Sequence, residues 1–400
     1  MTSGRQDGVK TVRVVLTAQA LRGLGYGVAA VQLGAILRLD GLSSAEVGLL
    51  LAAVLAGSLV SSLVLARWGD RLGRRRLYTA LYAALACCGL VIAIGTPLWL
   101  LAVVAMTGAL SVEVIESGPF TTLEQVMLAG TGQPQRQVVR GFGLYNAVAA
   151  VAGTAGALLG ALPADRRLLG GVLLAVGAAG ALLAARLPAT VEAPAMRPGL
   201  ARPRILTRSR GAVARLAGLF ALDSLAGGFV VQAYLGYWLV LRHGATTQTI
   251  GLTFAAVGAL QTASLLAAPM VADRVGLLRT MVFTHLPSNV LLAAIPFAPT
   301  LPGAIALLLA RACLSQMDVP TRQAYVMALV PADERTAAAA ITNTARYLTR
   351  PAGPALAGLL QPLGLALPFL IAGTAKIGYD LALWRMFRTV QLPTEREEPP

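Results

Sequence analysis

The 400-residue chain is 56% hydrophobic and only 13% charged, with a formal net charge of +15 at pH 7 and a mean hydropathy of +0.70. Soluble globular domains carry about 25% charged residues, so this composition excludes a water-soluble enzyme, a disordered chain and a secreted disulfide scaffold. Three cysteines and two histidines offer little for a disulfide framework or a structural metal site. The composition indicates a protein that lies in a lipid bilayer.

The apolar residues fall into stretches of membrane-spanning length, because about 20 apolar residues are needed to cross a hydrocarbon core of roughly 30 Å. We identify twelve such stretches, separated by turn and charge signals such as Asp40-Gly41 and Thr96-Pro97. They lie approximately at 13–37, 45–66, 77–95, 98–128, 138–162, 167–187, 213–241, 248–270, 279–297, 303–330, 336–360 and 367–388. The sequence therefore predicts an all-α polytopic membrane protein with twelve transmembrane helices.

The lysines and arginines indicate the orientation of these helices. They concentrate in the N-terminal tail, in the segments after the even-numbered spans and at the C-terminus. Cytoplasmic loops carry an excess of Lys and Arg, so we expect a multi-pass protein of the cytoplasmic membrane with both termini in the cytoplasm. Because the basic excess follows this topology, a nucleic-acid partner is not expected.

A polar stretch rich in proline and arginine divides the chain into halves with internal similarity. Asp70-Arg71-Leu72-Gly73 after span 2 matches Asp273-Arg274-Val275-Gly276 after span 8, and Asn146 matches Asn343 at nearly the same offset. The pattern indicates a duplicated unit of six helices. The predicted domains are an N-terminal six-helix bundle at 1–187, a basic cytoplasmic linker at 188–212, and a C-terminal six-helix bundle with a short cytoplasmic tail at 213–400.

The segment after span 2 reads Ala66-Arg67-Trp68-Gly69-Asp70-Arg71-Leu72-Gly73-Arg74-Arg75-Arg76. It resembles the G-x-L-a-D-R-x-G-R-[KR]-x signature of the major facilitator superfamily, with Ala66 in place of the leading glycine. The resemblance covers the whole chain and implies two pseudo-symmetric six-helix bundles, alternating access and a monomer. It also implies a gating loop, for which the alternative is a set of positive-inside anchors. The gating candidates are Asp70, Arg71, Gly73, Arg74, Arg75, Asp273 and Arg274.

Charged residues inside the predicted spans are candidates for function, because a charge at mid-membrane costs several kcal/mol unless it is paired or faces water. Most of them share helical faces on spans 1, 4, 7 and 10, which line the central cavity in the resembled superfamily. The candidates for substrate binding or proton coupling are Gln19, Arg22, Tyr26, Glu113, Glu116, Asp223, Tyr234, Arg311, Asp318 and Arg322. Secondary candidates on span 11 are Asn343, Arg346 and Arg350.

Two pairings are expected among these residues. Arg22 and Asp223 occupy equivalent positions of the repeat, so we expect them to pair, either as a static ion pair or as partners exchanged during transport. Glu113 and Glu116 are expected to share a proton near neutral pH, because two close carboxylates repel each other when both are ionised. Lys376, which lies four residues before Asp380 on span 12, is expected to neutralise it.

Other charges and prolines have simpler expectations. Arg311, Asp318 and Arg322 either line a cavity or form an intrahelical network that only rigidifies span 10. Arg346 and Arg350 either face the loop between spans 4 and 5 or extend to the cytoplasmic edge. Pro119 and Pro320 should interrupt their helices, because proline removes a backbone donor and clashes with the preceding turn.

The motifs exclude several functions and favour one. A nucleotide-binding loop of the form G-x-x-x-x-G-K-[ST] is absent from the sequence, and no nucleophile–base pattern indicates an enzyme. We expect a secondary active transporter that exports a drug or metabolite, driven by the proton gradient and without cofactor or metal. Its partners would be a small-molecule substrate, anionic or zwitterionic because arginines are frequent in the spans, and the lipid bilayer. The alternatives are uptake or exchange of an organic anion without proton coupling, and a non-transporting receptor or scaffold.

Overall fold

The protein is all-α. A computed structural model describes residues 2–95, 97–111, 113–114, 118–129, 135–192, 206–331 and 334–390. These residues are helical for most of their length and contain no strand, which confirms the predicted fold class.

The α-helices of the described residues are α1 (Thr2–Leu39), α2 (Ser44–Leu72), α3 (Arg74–Ile94), α4 (Leu98–Ala105), α5 (Pro119–Ala129), α6 (Gln135–Leu159), α7 (Arg166–Ala185), α8 (Arg210–Gly228), α9 (Gln232–His243), α10 (Thr247–Val275), α11 (Leu277–Ala294), α12 (Leu301–Ala312), α13 (Asp318–Leu329), α14 (Arg335–Thr349), α15 (Ala352–Leu360) and α16 (Leu367–Phe387). Three short 3-10 turns lie at Ala189–Val191, Ile295–Phe297 and Gln361–Leu363.

Seven helical segments of the described residues are long and apolar enough to cross a membrane. They are Gln6–Leu39, Ser44–Leu65, Arg74–Ile94, Arg166–Ala185, Arg210–His243, Thr247–Val275 and Leu277–Phe297. Leu144–Leu159 and Leu301–Ala312 are apolar helices of shorter length. Each of the twelve predicted stretches contains helix, but some are interrupted, so the number twelve stays a prediction.

The interruptions fall in predicted spans 4, 7, 10 and 11. Pro119 is the first residue of α5, and Pro320 lies in the first turn of α13, which confirms that both prolines mark a break. The helices α8 and α9 are separated at Phe229, and Pro351 precedes α15. Irregular backbone at membrane depth is tolerated where it is buried in protein or lines a cavity.

The break after α4 packs closely against α2. Gly108 has a φ of +73°, a conformation that residues with a side chain rarely adopt. A Cβ atom added at Gly57 would lie 2.6 Å from the carbonyl oxygen of Ala105, so α2 approaches this turn too closely for any side chain. Ser61 donates a hydrogen bond of 2.6 Å to the carbonyl oxygen of Thr107. Neighbouring α2 therefore satisfies a backbone acceptor that the break releases.

The described residues fall into two compact units. The first comprises residues within Met1–Met196 and Val231–Gly258, and the second comprises residues within Arg197–Val230 and Ala259–Pro400. The helix α9 and the start of α10, which the sequence assigns to the bundle at 213–400, therefore pack in the first unit, where α9 lies against α1. The predicted division at 188–212 stays a prediction.

Small residues hold the helices of the first unit together. The main pairs are α1 with α6 and α3 with α7. A Cβ atom at Gly27 would lie 2.1 Å from the carbonyl oxygen of Gly153, and one at Gly89 would lie 2.4 Å from the amide nitrogen of Leu174. Such close backbone approach is how helices associate in a bilayer, where lipid is as apolar as the side chains.

The second unit is built on α8, α11 and α16. The helix α16 packs against both α8 and α11, and α8 also packs against α14. Apolar side chains including Phe220, Met281, Tyr325 and Leu383 form a buried core between these helices. This packing places polar residues of α8, α11, α13 and α16 next to one another inside the unit.

Candidate functional site

Arg22 of α1 forms a buried ion pair with Glu124 of α5 inside the first unit. Both side chains are 0% exposed. The guanidinium of Arg22 reaches both carboxylate oxygens, with Nη1 2.5 Å from Oε1 and Nη2 2.6 Å from Oε2. A bidentate contact of this kind is the strongest form of an arginine–carboxylate pair.

Polar and aromatic side chains complete the shell around this pair. Tyr145 donates a hydrogen bond of 2.5 Å to Oε2 of Glu124, and Tyr78 donates to Oε1. Arg22 in turn donates to the hydroxyl of Tyr82 at 3.1 Å and to Oε1 of Gln19. The buried charges are therefore matched to each other and to several polar partners, which offsets part of the desolvation cost.

We call this set the first charge cluster; it comprises Gln19, Arg22, Tyr78, Tyr82, Glu124 and Tyr145. Phe120 closes it on one side, with its ring centroid 4.6 Å from Cζ of Arg22. Tyr26, which lies one turn further along α1, instead donates a hydrogen bond of 2.6 Å to the carbonyl oxygen of Ala109 in the break after α4. This hydrogen bond connects α1 to the non-helical segment after α4.

The structure corrects the expectations for the predicted fourth span. Glu113 lies in non-helical backbone between α4 and α5, where its amide donates to the hydroxyl of Ser111 at 3.0 Å. The expectation that Glu113, Glu116 and Phe120 share one helical face is therefore wrong, because α4 ends at Ala105. Glu116 itself lies outside the described residues, so proton sharing between the two acids stays a prediction.

Sequence reasoning missed Glu124. It is an acid inside the predicted span 98–128, and it lies four residues after Phe120, so both side chains share the face of α5 that meets Arg22. The charge inside an apolar stretch was the signal that could have found it.

A second set of buried charges lies inside the second unit, around Asp223 of α8. Lys376 of α16 donates from Nζ to Oδ1 of Asp223 at 2.5 Å. Arg322 of α13 contacts Asp318 on its own helix, with Nη1 2.9 Å from Oδ2, and its Nη1 is 3.7 Å from Oδ2 of Asp223. The contact between Asp318 and Arg322 belongs to the intrahelical network, one of the two expected alternatives, and it extends to Asp223 on a second helix. Arg311 lies on α12, across the break before α13, so it is not part of that intrahelical contact.

The same set continues to a histidine and a second acid. His285 of α11 places Nδ1 2.9 Å from Oδ1 of Asp380, while its Nε2 lies 3.9 Å from Oδ1 of Asp223. Asn289, one turn along α11, donates from Nδ2 to Oδ2 of Asp380 at 2.9 Å. We call this set the second charge cluster; it comprises Asp223, His285, Asn289, Asp318, Arg322, Lys376 and Asp380.

Two predicted pairings are therefore wrong in this structure. Arg22 is paired with Glu124 and Asp223 with Lys376, so each member of the predicted Arg22–Asp223 pair has its partner in its own unit. Lys376 neutralises Asp223 and leaves Asp380, four residues later on the same helix, to His285 and Asn289. Contacts between helices that are far apart in the sequence have formed instead of the contact that spacing along one helix favoured.

The remaining membrane candidates occupy varied environments. Arg311 is half-buried on α12, and Tyr234 is buried on α9 with its ring centroid 6.4 Å from that of Tyr237. Because the chain breaks at Phe229, Tyr234 does not continue the face of α8 that carries Asp223. On α14, Asn343 is exposed and Arg346 is largely buried, and Arg350 follows the helix half-buried.

At the proposed gating loop, the carboxylate acceptor is Glu192. It follows the turn Ala189–Val191 and accepts hydrogen bonds from the backbone amides of Arg74 at 2.7 Å and Arg75 at 3.2 Å. Gly73, with a φ of +90°, provides the tight turn that the sequence predicts between α2 and α3. A carboxylate at the start of a helix is favoured by unpaired amides and by the helix dipole.

The other loop candidates have less defined surroundings. The side chain of Asp70 lies outside the described residues, so its role in a gating loop stays a prediction. Arg71 is exposed at the end of α2, and Asp273 and Arg274 are exposed at the end of α10.

Glu334 provides a similar cap in the second unit, before α8. Its carboxylate accepts hydrogen bonds of 2.9 to 3.0 Å from the backbone amides of Thr207, Arg208 and Ser209. These backbone bonds, first that of Arg208, lower the pKa of Glu334 to about 2. Sequence reasoning missed this cap because the acid lies more than 120 residues from its partners.

Comparison with known proteins places this arrangement in a family. The model of the Major Facilitator Superfamily matches residues 15–354, so the chain belongs to this superfamily. Its members are membrane proteins of transmembrane transport, and the predicted family membership is confirmed.

Three relatives illustrate how broad that superfamily is. An uncharacterized membrane protein of Saccharomyces cerevisiae, YJR124C, is 24% identical over 97% of this chain and 96% of its own length. A bacterial homolog of the human lysosomal transporter Spinster, in an inward-facing and occupied conformation, is 15% identical with a TM-score of 0.74, covering 97% of this chain and 98% of its own. A D-xylose-proton symporter is 17% identical with a TM-score of 0.71, covering 94% and 97% respectively. The TM-scores of the two solved structures show a shared fold, and at these low identities they show the fold alone.

Proposed function

We propose that this protein is a secondary active transporter that exports a small organic solute, a drug or metabolite, across the cytoplasmic membrane by alternating access. The proton gradient drives export, and both termini lie in the cytoplasm. Membership of the Major Facilitator Superfamily supports the transporter class. The direction, the proton coupling and the solute class are part of the proposal.

The observation that carries the proposal is the pair of buried charge clusters, one in each unit. A single helix packing against lipid would gain nothing from such charges, because each costs several kcal/mol at membrane depth. Arg22 with Glu124, and Asp223 with Lys376, are held between helices rather than exposed at the surface. Charges retained at this cost are typical of solute and proton pathways in membrane proteins.

The charges also favour a class of solute. Arg22, Arg311 and Arg322 lie within apolar stretches together with Asp223 and Asp318. The planar guanidinium matches the geometry of a carboxylate or phosphate, so an anionic or zwitterionic solute fits this set better than a lipophilic cation. Both Nη atoms of Arg22 contact the carboxylate of Glu124 in this structure. A solute carboxylate would therefore have to replace Glu124 at the guanidinium. Gln19, Tyr26, Tyr234, Asn343, Arg346 and Arg350 complete the proposed solute-binding set.

The first experiment identifies the solute class by thermal stabilisation of the purified protein. Benzenesulfonate, phenylalanine and phenyltrimethylammonium share a phenyl ring and differ in charge, and each is tested at two pH values. A ligand at 100 times its Kd should stabilise the protein by about 2.7 kcal/mol. We expect stabilisation by the anion or the zwitterion, and its loss in Arg22→Ala. Stabilisation by the cation alone would instead assign recognition to the acids Glu113, Glu116, Asp223 and Asp318.

The second experiment measures flux in proteoliposomes with and without an imposed pH gradient, using the same three solutes. Acceleration of flux by the gradient supports proton-coupled export. Flux that is indifferent to the gradient contradicts proton coupling and supports anion uptake or exchange. Absence of flux for a solute that binds supports a receptor or scaffold.

A further inference from the structure

Asp380 occupies an unusual position in the second charge cluster. It is 0% exposed on α16, and its two hydrogen-bonding partners are His285, 2.9 Å from Oδ1, and Asn289, 2.9 Å from Oδ2. The amide of Asn289 carries no charge and cannot neutralise an ionised Asp380. Of these two partners, only His285 has a titratable side chain.

The cations nearby are already assigned to other acids. Lys376 contacts Asp223 at 2.5 Å, and Arg322 contacts Asp318 at 2.9 Å and lies 3.7 Å from Asp223. Within the described residues, no lysine or arginine lies within ion-pair distance of Asp380. Three buried acids thus share two close cations, and Asp380 is the acid left over.

The other charged and titratable groups near Asp380 do not provide it with a positively charged partner. Asp223 of α8 lies 3.9 Å from Nε2 of His285 and adds a negative charge. The positive charge of Arg311 on α12 interacts with the charges of Asp318 and Asp223. Tyr379 of α16 packs edge-on against His285, with ring centroids 5.8 Å apart. A buried carboxyl group in such surroundings is stabilised by carrying a proton rather than a charge.

The hydrogen bonds indicate which atom holds that proton. Nδ2 of Asn289 donates to Asp380 and also lies 3.0 Å from Nδ1 of His285. The amide of Asn289 beside Nδ1 favours the tautomer in which Nδ1 accepts, and in that tautomer the hydrogen between Nδ1 and Oδ1 belongs to the carboxyl group of Asp380.

We propose that Asp380 is the group that carries the exchanged proton, and that its deprotonation transfers Lys376 from Asp223 to Asp380. This inference rests on the proposed function, since it names the proton site of the same transporter. Loss of the proton to water leaves a carboxylate one helical turn from Lys376, a spacing at which opposite charges attract. The proton leaves from Asp380 alone, so the charge of the cluster falls by one. Asp223 then keeps its contact with Arg322 through Oδ2, and Lys376 no longer occupies its Oδ1.

In this proposal Lys376 has two alternative ion-pair partners, Asp223 and Asp380, and the proton on Asp380 selects between them. The pair of Lys376 with Asp380, which local spacing favours, is the arrangement of the deprotonated state. The pair of Lys376 with Asp223, found here, is that of the protonated state. Because Lys376 and Asp380 lie on α16 while Asp223 lies on α8, the proton decides whether a salt bridge joins these two helices.

Infrared difference spectroscopy of the purified protein shows whether Asp380 carries a proton, and it does not require the solute to be known. We expect a carbonyl stretch of a buried protonated carboxyl group at neutral pH, which disappears in Asp380→Asn. The matched control is Asp318→Asn, which removes a buried acid paired with Arg322 and should keep the band. A band that is absent from the wild type, or that survives in Asp380→Asn, overturns the proposal.

Transport separates this proposal from the proposed function. Proteoliposomes are loaded with whichever of benzenesulfonate, phenylalanine and phenyltrimethylammonium the wild type transports. Asp380→Asn should lose accumulation driven by a pH gradient and retain exchange of labelled for unlabelled solute. If the wild type responds to the gradient and Asp380→Asn responds equally, only the assignment of Asp380 falls. If the wild type itself ignores the gradient, proton coupling and this inference fall together.

A third variant covers the case in which Asp380→Asn does not fold. His285→Gln keeps Asp380 and alters one of its hydrogen bonds, so the carboxyl band should persist at a shifted frequency. An unshifted band would contradict the contact between Asp380 and His285 on which the proposal depends.

Discussion

The two charge clusters stabilise buried charges in different ways. In the first, one cation and one anion meet in a bidentate contact, and the hydroxyls of Tyr78, Tyr82 and Tyr145 complete the shell. In the second, Asp223 is shared by Lys376 and Arg322, while a further acid depends on neutral donors. The first is a closed pair, which resists change, whereas the second can exchange partners when one proton leaves. Positions 22 and 223, which the sequence predicts to be equivalent points of a repeat, hold opposite charges, and each has its own partner.

The largest expected effect is on the closed pair. Glu124→Gln leaves the guanidinium of Arg22 buried without a counter-charge, so we expect a loss of about 3–5 kcal/mol in the free energy of unfolding. Thermal melting and SDS-induced unfolding in detergent measure it. The double variant Arg22→Met/Glu124→Leu removes both charges and should recover most of the loss. A double variant as unstable as the single one would contradict the view that an unmatched charge is the cause.

The second prediction compares two acids of the second charge cluster at neutral pH. Asp223→Asn leaves Lys376 without its carboxylate, and we expect it to cost about 3 kcal/mol. Asp380→Asn replaces a neutral acid by a neutral amide of the same shape, and it should cost about 1 kcal/mol. Unfolding measured on both variants in parallel would contradict this comparison if Asp380→Asn proved the more damaging.

A third prediction concerns helix packing in the first unit. A Cβ atom at Gly156 would lie 2.1 Å from the carbonyl oxygen of Leu24, so Gly156→Ala should separate α6 from α1 and cost about 1–3 kcal/mol. The matched control is Gly378→Ala on α16, where a Cβ atom meets nothing within 4 Å. That control should be neutral or slightly stabilising, because alanine favours helix over glycine. Equal melting temperatures for both variants would contradict the close approach.

The smallest effect is expected at the acid cap of the second unit. The pKa of Glu334 is about 2 in the folded protein and about 4.5 ordinarily, so its stabilising contribution is complete above pH 4.5 and is lost as the pH falls through 2. The melting temperature of Glu334→Gln should be below that of the wild type at pH 6, with the difference shrinking towards pH 2. Asp165→Asn, which keeps a capping side chain on α7, should preserve the wild-type profile. A difference that is constant with pH would contradict the assignment.

Local signals in the sequence predicted the helical class, the breaks at Pro119 and Pro320 and the contact of Asp318 with Arg322, because each depends on neighbouring residues. The partners of Arg22 and Asp223 could not be predicted in this way. They lie 102 and 153 residues away, and which faces meet depends on how the helices pack.

The expectation for Glu113 failed for a related reason. Face periodicity assumes a continuous helix, and the chain leaves the helix at Ala105. His285 is absent from the candidates predicted from the sequence, although it lies inside α11, which extends on both sides of it.

The separation of 153 residues between Asp223 and Lys376 has a consequence for synthesis of the protein. When α8 leaves the ribosome, its carboxylate has no lysine to meet, since α16 is the last helix of the described chain to be made. Until then α8 carries an acid whose lysine is missing, which a lipid environment disfavours. The second unit therefore reaches its final packing only after α16 has been made, and a chain truncated before α16 would be a substrate for membrane quality control.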